Sequence, residues 1–103
     1  MNIERQRLTP EDRSSSILAA AVKLALSSGY QSLTRDNVAD AAGTSVGLIY
    51  KYFAGMDALR DAVMAEAVAN RHVSIIAQGL AAGNPIAVRA PGELRREAAN
   101  TLA

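Results

Sequence analysis

The feature that most constrains this sequence is the tripeptide Gly43-Thr44-Ser45, which separates two short segments whose apolar residues recur at helical spacing. On its N-terminal side Thr34 is a hydroxyl N-cap, and Asp36 stands in the first turn, where the helix dipole favours an acid. Val38, Ala39 and Ala42 then share one face. Gly43 supplies the left-handed residue that commonly closes a helix. Ser45 is placed to cap the next helix, which runs through Leu48 and Ile49 to Phe53. Two short helices around a tight glycine turn, with a longer helix to pack against, are the sequence form of a helix-turn-helix.

The longer helix lies upstream. Thr9-Pro10-Glu11-Asp12 offers a cap, a proline at the first helical position and acids in the first turn. Ile17, Ala20, Ala21 and Leu24 mark its inner face, and Ser27-Ser28-Gly29 ends it, so a helix is predicted over residues 10–28. Tyr30 and Leu33, in the short connection that follows, are expected to seal the edge of the core. Beyond Gly55, Asp57 leads a run in which Leu59, Val63, Ala67, Val68, Ile75 and Ile76 predict one long fourth helix over residues 56–78. Gly79, Gly83, Asn84, Pro85, Pro91 and Gly92 predict a hinge or loop. Leu94, Ala98 and Leu102 then fall on one face of a short terminal helix.

Composition narrows the function classes. The chain has 103 residues, enough for one domain, and is 50% hydrophobic but only 4% aromatic. An alanine-rich core buries little area per helix, which favours a partner chain that completes the burial, and hence a homodimer. With no cysteine, disulfides, thiolate zinc sites and cysteine nucleophiles are all excluded. His72, the sole histidine, has no paired ligand at metal-binding spacing and no nucleophile elbow to serve. No enzyme, metal or cofactor is expected. Met1 to Pro10 carries Glu4, Arg5 and Arg7 and no apolar run of signal-peptide or membrane-span length, so a soluble cytoplasmic protein is expected. The net charge is only +1, so any affinity for nucleic acid must come from local arrangement.

The stretch from Ala42 to Leu59 resembles the signature of the TetR family: a glycine turn, Ser45-Val46-Gly47 opening the recognition helix, and Tyr50-Lys51-Tyr52-Phe53 closing it. Ile17 to Thr34 is similar to the family's first helix and its Gly-Tyr connection, and Asp36 to Gly43 to its second helix. The resemblance spans residues 13–65. It implies an all-α fold: a TetR-like or homeodomain-like three-helix helix-turn-helix bundle, followed by the long fourth helix and the short C-terminal helix. Residues 1–55 would be the DNA-binding domain and residues 56–103 a dimerisation segment, together one compact unit. It also implies that Thr44 to Phe53 enters the major groove, while Thr34 and Arg35 touch the backbone or a base edge.

Elementary chemistry supports the implied contacts. Helix N-termini bear free N–H groups and partial positive charge, so the starts of the second and third helices suit phosphates without a large net charge. Gly47 lets the helix approach closely, and Lys51 suits a phosphate or a guanine edge. Val46 and Leu48 are apolar and suit thymine methyls. Tyr50 and Tyr52 fit two roles, phosphate donor or half-buried packing, and Thr44 and Ser45 fit both capping and base contact. Met56 departs from the family pattern, which commonly has a lysine there, and removes one expected phosphate contact.

Typical family members carry a larger ligand-binding domain, for which this sequence leaves no room. A dimeric repressor of a palindromic double-stranded operator is therefore expected, controlled by its own concentration without a small-molecule ligand. Pairing would use the apolar residues of Val68 to Leu80 and the tail. Two other readings stay open: a helix-turn-helix that binds protein and not DNA, and a fragment of a longer ligand sensor.

Overall fold

The computed structural model describes residues 9–102, so the sequence readings made on Met1 to Leu8 lie outside it, as does the Leu102 side chain. The described residues are all-helical: α1 (Pro10–Ser28), a 3-10 turn (Tyr30–Ser32), α2 (Arg35–Ala42), α3 (Val46–Tyr52), α4 (Met56–Ala69), α5 (Val73–Ala82), α6 (Pro85–Val88) and α7 (Gly92–Leu102). None of these helices is long and apolar enough to cross a membrane.

The N-terminal half follows its local signals. Thr9 and Asp12 form a capping box at the start of α1, each side chain bonded to the other's backbone N–H. The inner face of α1 is rotated from the expected one. Ile17, Ala21, Val22 and Ala25 are buried, whereas Ala20 and Leu24 are half-buried. The reason is the position of α1, which packs on α2, α3, α4 and α5 and so buries a wider arc than a single stripe. Tyr30 and Leu33 are buried as expected.

The C-terminal half differs from expectation at two places. The fourth helix ends at Ala69, not near residue 78, because Arg71 adopts φ +58° in the left-handed region. The Arg71 N–H bonds to the Val68 carbonyl and the His72 N–H to the Ala67 carbonyl, at 3.4 and 2.8 Å, which is the double closure of a Schellman turn. The same closure ends α2 at Gly43 and α5 at Gly83. The second difference is that the expected loop is largely helical. Gly79 lies inside α5, and Asn84 and Pro85 open α6.

One core runs through all of these elements. Leu33, Ile49, Leu59, Met64, Ile75 and Ile76 are its largest fully buried side chains, and Leu94 and Ala98 join it from α7. Of the apolar residues of Val68 to Leu80 expected to serve pairing, Ile75, Ile76 and Ala77 are thus consumed within the chain, whereas Val68, Val73 and Leu80 are half-buried.

Candidate nucleic-acid interface

The turn Gly43-Thr44-Ser45 holds α2 and α3 at a fixed relation through backbone bonds. Gly43, at φ +66°, and Thr44 donate to the Asp40 and Ala39 carbonyls, and the Ser45 hydroxyl accepts from the Leu48 N–H at 3.1 Å. Thr34 caps α2 in the same way, accepting from the Asn37 N–H at 3.2 Å. Both hydroxyls therefore serve as caps, and each keeps its own proton available as a donor. Arg60 of α4 reaches back to donate to the Leu33 carbonyl at 3.0 Å, just before Thr34.

Ile49 anchors α3, being fully buried against the core. With that side fixed, Gly47, Tyr50 and Lys51 are exposed, as are Ser45 at the helix start and Thr34 and Arg35 at the start of α2. Thr44, Val46, Leu48 and Tyr52 are half-buried. The two tyrosines differ in setting: Tyr50 is 41% exposed, whereas Tyr52 packs against the core. The Lys51 ammonium lies 5.7 Å from the Tyr52 ring centroid, within cation–π range. Val46 also packs against the core, so part of its surface is turned away from the face that Gly47 and Tyr50 share. Met56, the departure from the family pattern, packs there too at the first position of α4.

Sequence reasoning missed Arg13. A cleft of about 190 Å³ between α1 and the turn is lined by Arg13, Ser16, Ile17, Ala42, Gly43, Thr44 and Leu48. The cleft brings a cation from the first turns of α1 beside the start of α3. Nothing in the local pattern around Arg13 signals this, because the proximity depends on how α1 crosses the helix pair. Charge on the helix-turn-helix itself is balanced, since Arg35 and Lys51 are offset by Asp36 and Asp40. Arg13 adds the cation that this stretch lacks.

Residues 17–63 match the family model described as bacterial regulatory proteins, tetR family. No curated protein and no solved structure gives a match. The matched span runs from Ile17 in α1, through both short helices and their turn, to Val63 in α4. The helix-turn-helix of this chain belongs to the TetR family of bacterial regulatory proteins, whose domain of this kind binds DNA.

Proposed function

We propose that the chain is a dimeric transcription repressor that reads a palindromic operator with α3 in the major groove. The observation that carries this reading is the arrangement of α3. Ile49 holds it from below while Gly47, Tyr50 and Lys51 stand exposed on a helix whose N-terminus is capped by Ser45. A glycine close to the groove, a phenol and an ammonium supply close approach, a neutral donor and a charge. Thr34 and Arg35 at the start of α2, and Thr44 beside Ser45, complete the proposed contact set; Tyr52, Val46 and Leu48 border it. The modest net charge of +1 fits a domain that relies on helix N-termini and hydroxyls more than on a basic surface.

Two-fold pairing would set two copies of α3 about 34 Å apart, or a multiple of that, to match one DNA turn. The pairing surface is then a side of α4 to α7 that the internal core leaves open; Val88, 48% exposed, is a large apolar side chain on that half. No inducer enters the reading, and occupancy follows protein concentration.

The test is a mobility-shift titration on the DNA upstream of the protein's own gene, repeated across salt concentrations, with sedimentation equilibrium on the same preparation. A salt-sensitive complex of two chains per duplex is expected. Absence of any complex at low salt would leave the protein-binding reading in its place.

A further inference from the structure

The junction between α5 and α6 reaches across the molecule to the turn that delivers the chain into α2. Asn84 is its centre. The residue is 8% exposed, and all of its hydrogen-bonding capacity is used. Its Oδ1 accepts from the Ile86 and Ala87 N–H groups at 2.9 and 3.2 Å, which caps α6. Its Nδ2 donates to the Tyr30 hydroxyl and to Asp61 Oδ1, each at 3.1 Å. Its backbone N–H closes α5 on the Gly79 carbonyl at 2.8 Å.

Two further bonds hold the same turn. Gln78 of α5 accepts the Tyr30 N–H at 2.5 Å, and Arg60 of α4 donates to the Leu33 carbonyl. The turn from Tyr30 to Leu33 is therefore gripped at its first amide, its phenol and its last carbonyl. Thr34, the cap of α2, follows immediately. Capping α6 requires only an oxygen acceptor at residue 84, and aspartate or serine would supply one equally well. The two amide protons of Asn84 are not needed for that cap. Their partners lie 54 and 23 residues away in sequence.

We propose that Asn84 is a positioning residue for DNA binding: through its amide group the α5–α6 junction fixes the Tyr30 turn against Asp61 of α4, and so fixes where α2 and the recognition helix stand. This rests on the DNA-binding reading above, and the test separates the two. Asn84→Asp keeps the cap acceptor, and the Tyr30 hydroxyl can turn to donate to it, but the donor to Asp61 is lost and two carboxylates face each other. Asp61→Asn combined with Asn84→Asp restores that bond with its polarity reversed, since the introduced amide donates to the introduced carboxylate. Tyr30→Phe removes one partner while leaving the ring in the core.

Two readouts are taken on the full chain: amide hydrogen exchange across α2, and affinity for a duplex selected by the wild-type protein from a randomised pool. With Asn84→Asp, protection at Val38 and Ala39 is expected to fall and affinity to drop about tenfold. Tyr30→Phe should move both in the same direction by less, and the double variant should recover most of each loss. Should Asn84→Asp lose global structure, Tyr30→Phe and the double variant still decide the matter. Unchanged α2 protection in the single variants, or no recovery in the double variant, overturns the proposal. Failure of the wild-type protein to select any duplex would count against the DNA-binding reading alone, because the exchange measurement stands without DNA.

Discussion

Gly79 of α5 lies directly against the thioether of Met64 in α4: a Cβ built on the glycine would stand 2.9 Å from the Met64 sulfur and 3.0 Å from the Ala87 Cβ. In an open helix, alanine in place of glycine is favourable by about 1 kcal/mol. Here overpacking of about 1–3 kcal/mol opposes that gain. Met64 is long and adaptable, but Ala87 has no rotamer by which to withdraw. Gly79→Ala is therefore expected to destabilise by about 1 kcal/mol in urea unfolding. The same substitution in a Met64→Ala background should cost less, with the Ala87 contact still opposing it, and stabilisation by Gly79→Ala alone would show that the contact is soft.

Arg71 does at the end of α4 what Gly43 and Gly83 do at the ends of α2 and α5. A side chain in the left-handed region costs about 1–2 kcal/mol relative to glycine. The Arg71 guanidinium lies 3.7 Å from Glu93 and 3.5 Å from Glu97 of α7, and these exposed pairs offset only part of that cost. Arg71→Gly should therefore be at least as stable as wild type, while Arg71→Ala keeps the strain, loses the pairs and falls about 1 kcal/mol below Arg71→Gly. Added salt weakens the ion pairs and should shift the comparison further towards glycine. Thermal unfolding of the three proteins at two salt concentrations measures this. Equal stability of the alanine and glycine variants would remove the backbone argument.

That arginine also explains what the sequence could and could not show. Where an end signal is chemical and local, as with Thr9-Pro10, Thr34, Gly43 and Ser45, the helix boundaries and the helix-turn-helix are legible from residue type alone. The end of α4 has no glycine. Because Leu59, Val63, Ala67, Ile75 and Ile76 all face the same core, their spacing runs on across the break and conceals it. Gly79 misleads in the opposite sense, since its missing side chain serves a close helix contact and not a turn. At the candidate interface the exposed residues of α3 follow from its short period. The nearness of Arg13 and the reach of Asn84 to Tyr30 depend on tertiary crossing, which no local pattern encodes.

Burial pushes the Tyr30 hydroxyl above its ordinary value near 10, an effect larger than the opposing influence of the Asn84 hydrogen bond and of Arg60. The neutral phenol is thus the form the folded state prefers. Its contribution to stability is complete below pH 10 and is lost as the pH rises through the higher folded-state value. Wild-type stability should fall on the alkaline side above pH 10, and Tyr30→Phe should remove that component of the fall although it starts from a lower stability at neutral pH. Urea midpoints measured between pH 8 and about pH 11 test this. Parallel curves for the two proteins would mean that the phenol titrates as freely in the fold as in the unfolded chain.

The proposed contact set divides by kind of interaction, which makes it separable by experiment. A cation on a phosphate contributes to affinity for every sequence, and its loss should lower the slope of log affinity against log salt by about 1. Lys51→Ala and Arg13→Ala are expected to behave this way, with Arg13 acting beside the turn through the cleft it shares with Thr44 and Leu48. If Lys51 reads a guanine edge instead, its loss weakens preferred duplexes more than others and relaxes specificity at one base pair. Tyr50→Phe removes a single neutral donor, so affinity should drop a few-fold with the salt slope unchanged. Tyr52→Phe should have less effect on binding, since the ring packs inward. Titrations of each variant at several salt concentrations, on a preferred and a scrambled duplex, distinguish these outcomes. If Lys51, Arg13 and Tyr50 can all be replaced without changing affinity or slope, the surface formed by α3 and the first turns of α1 is not the one that meets DNA.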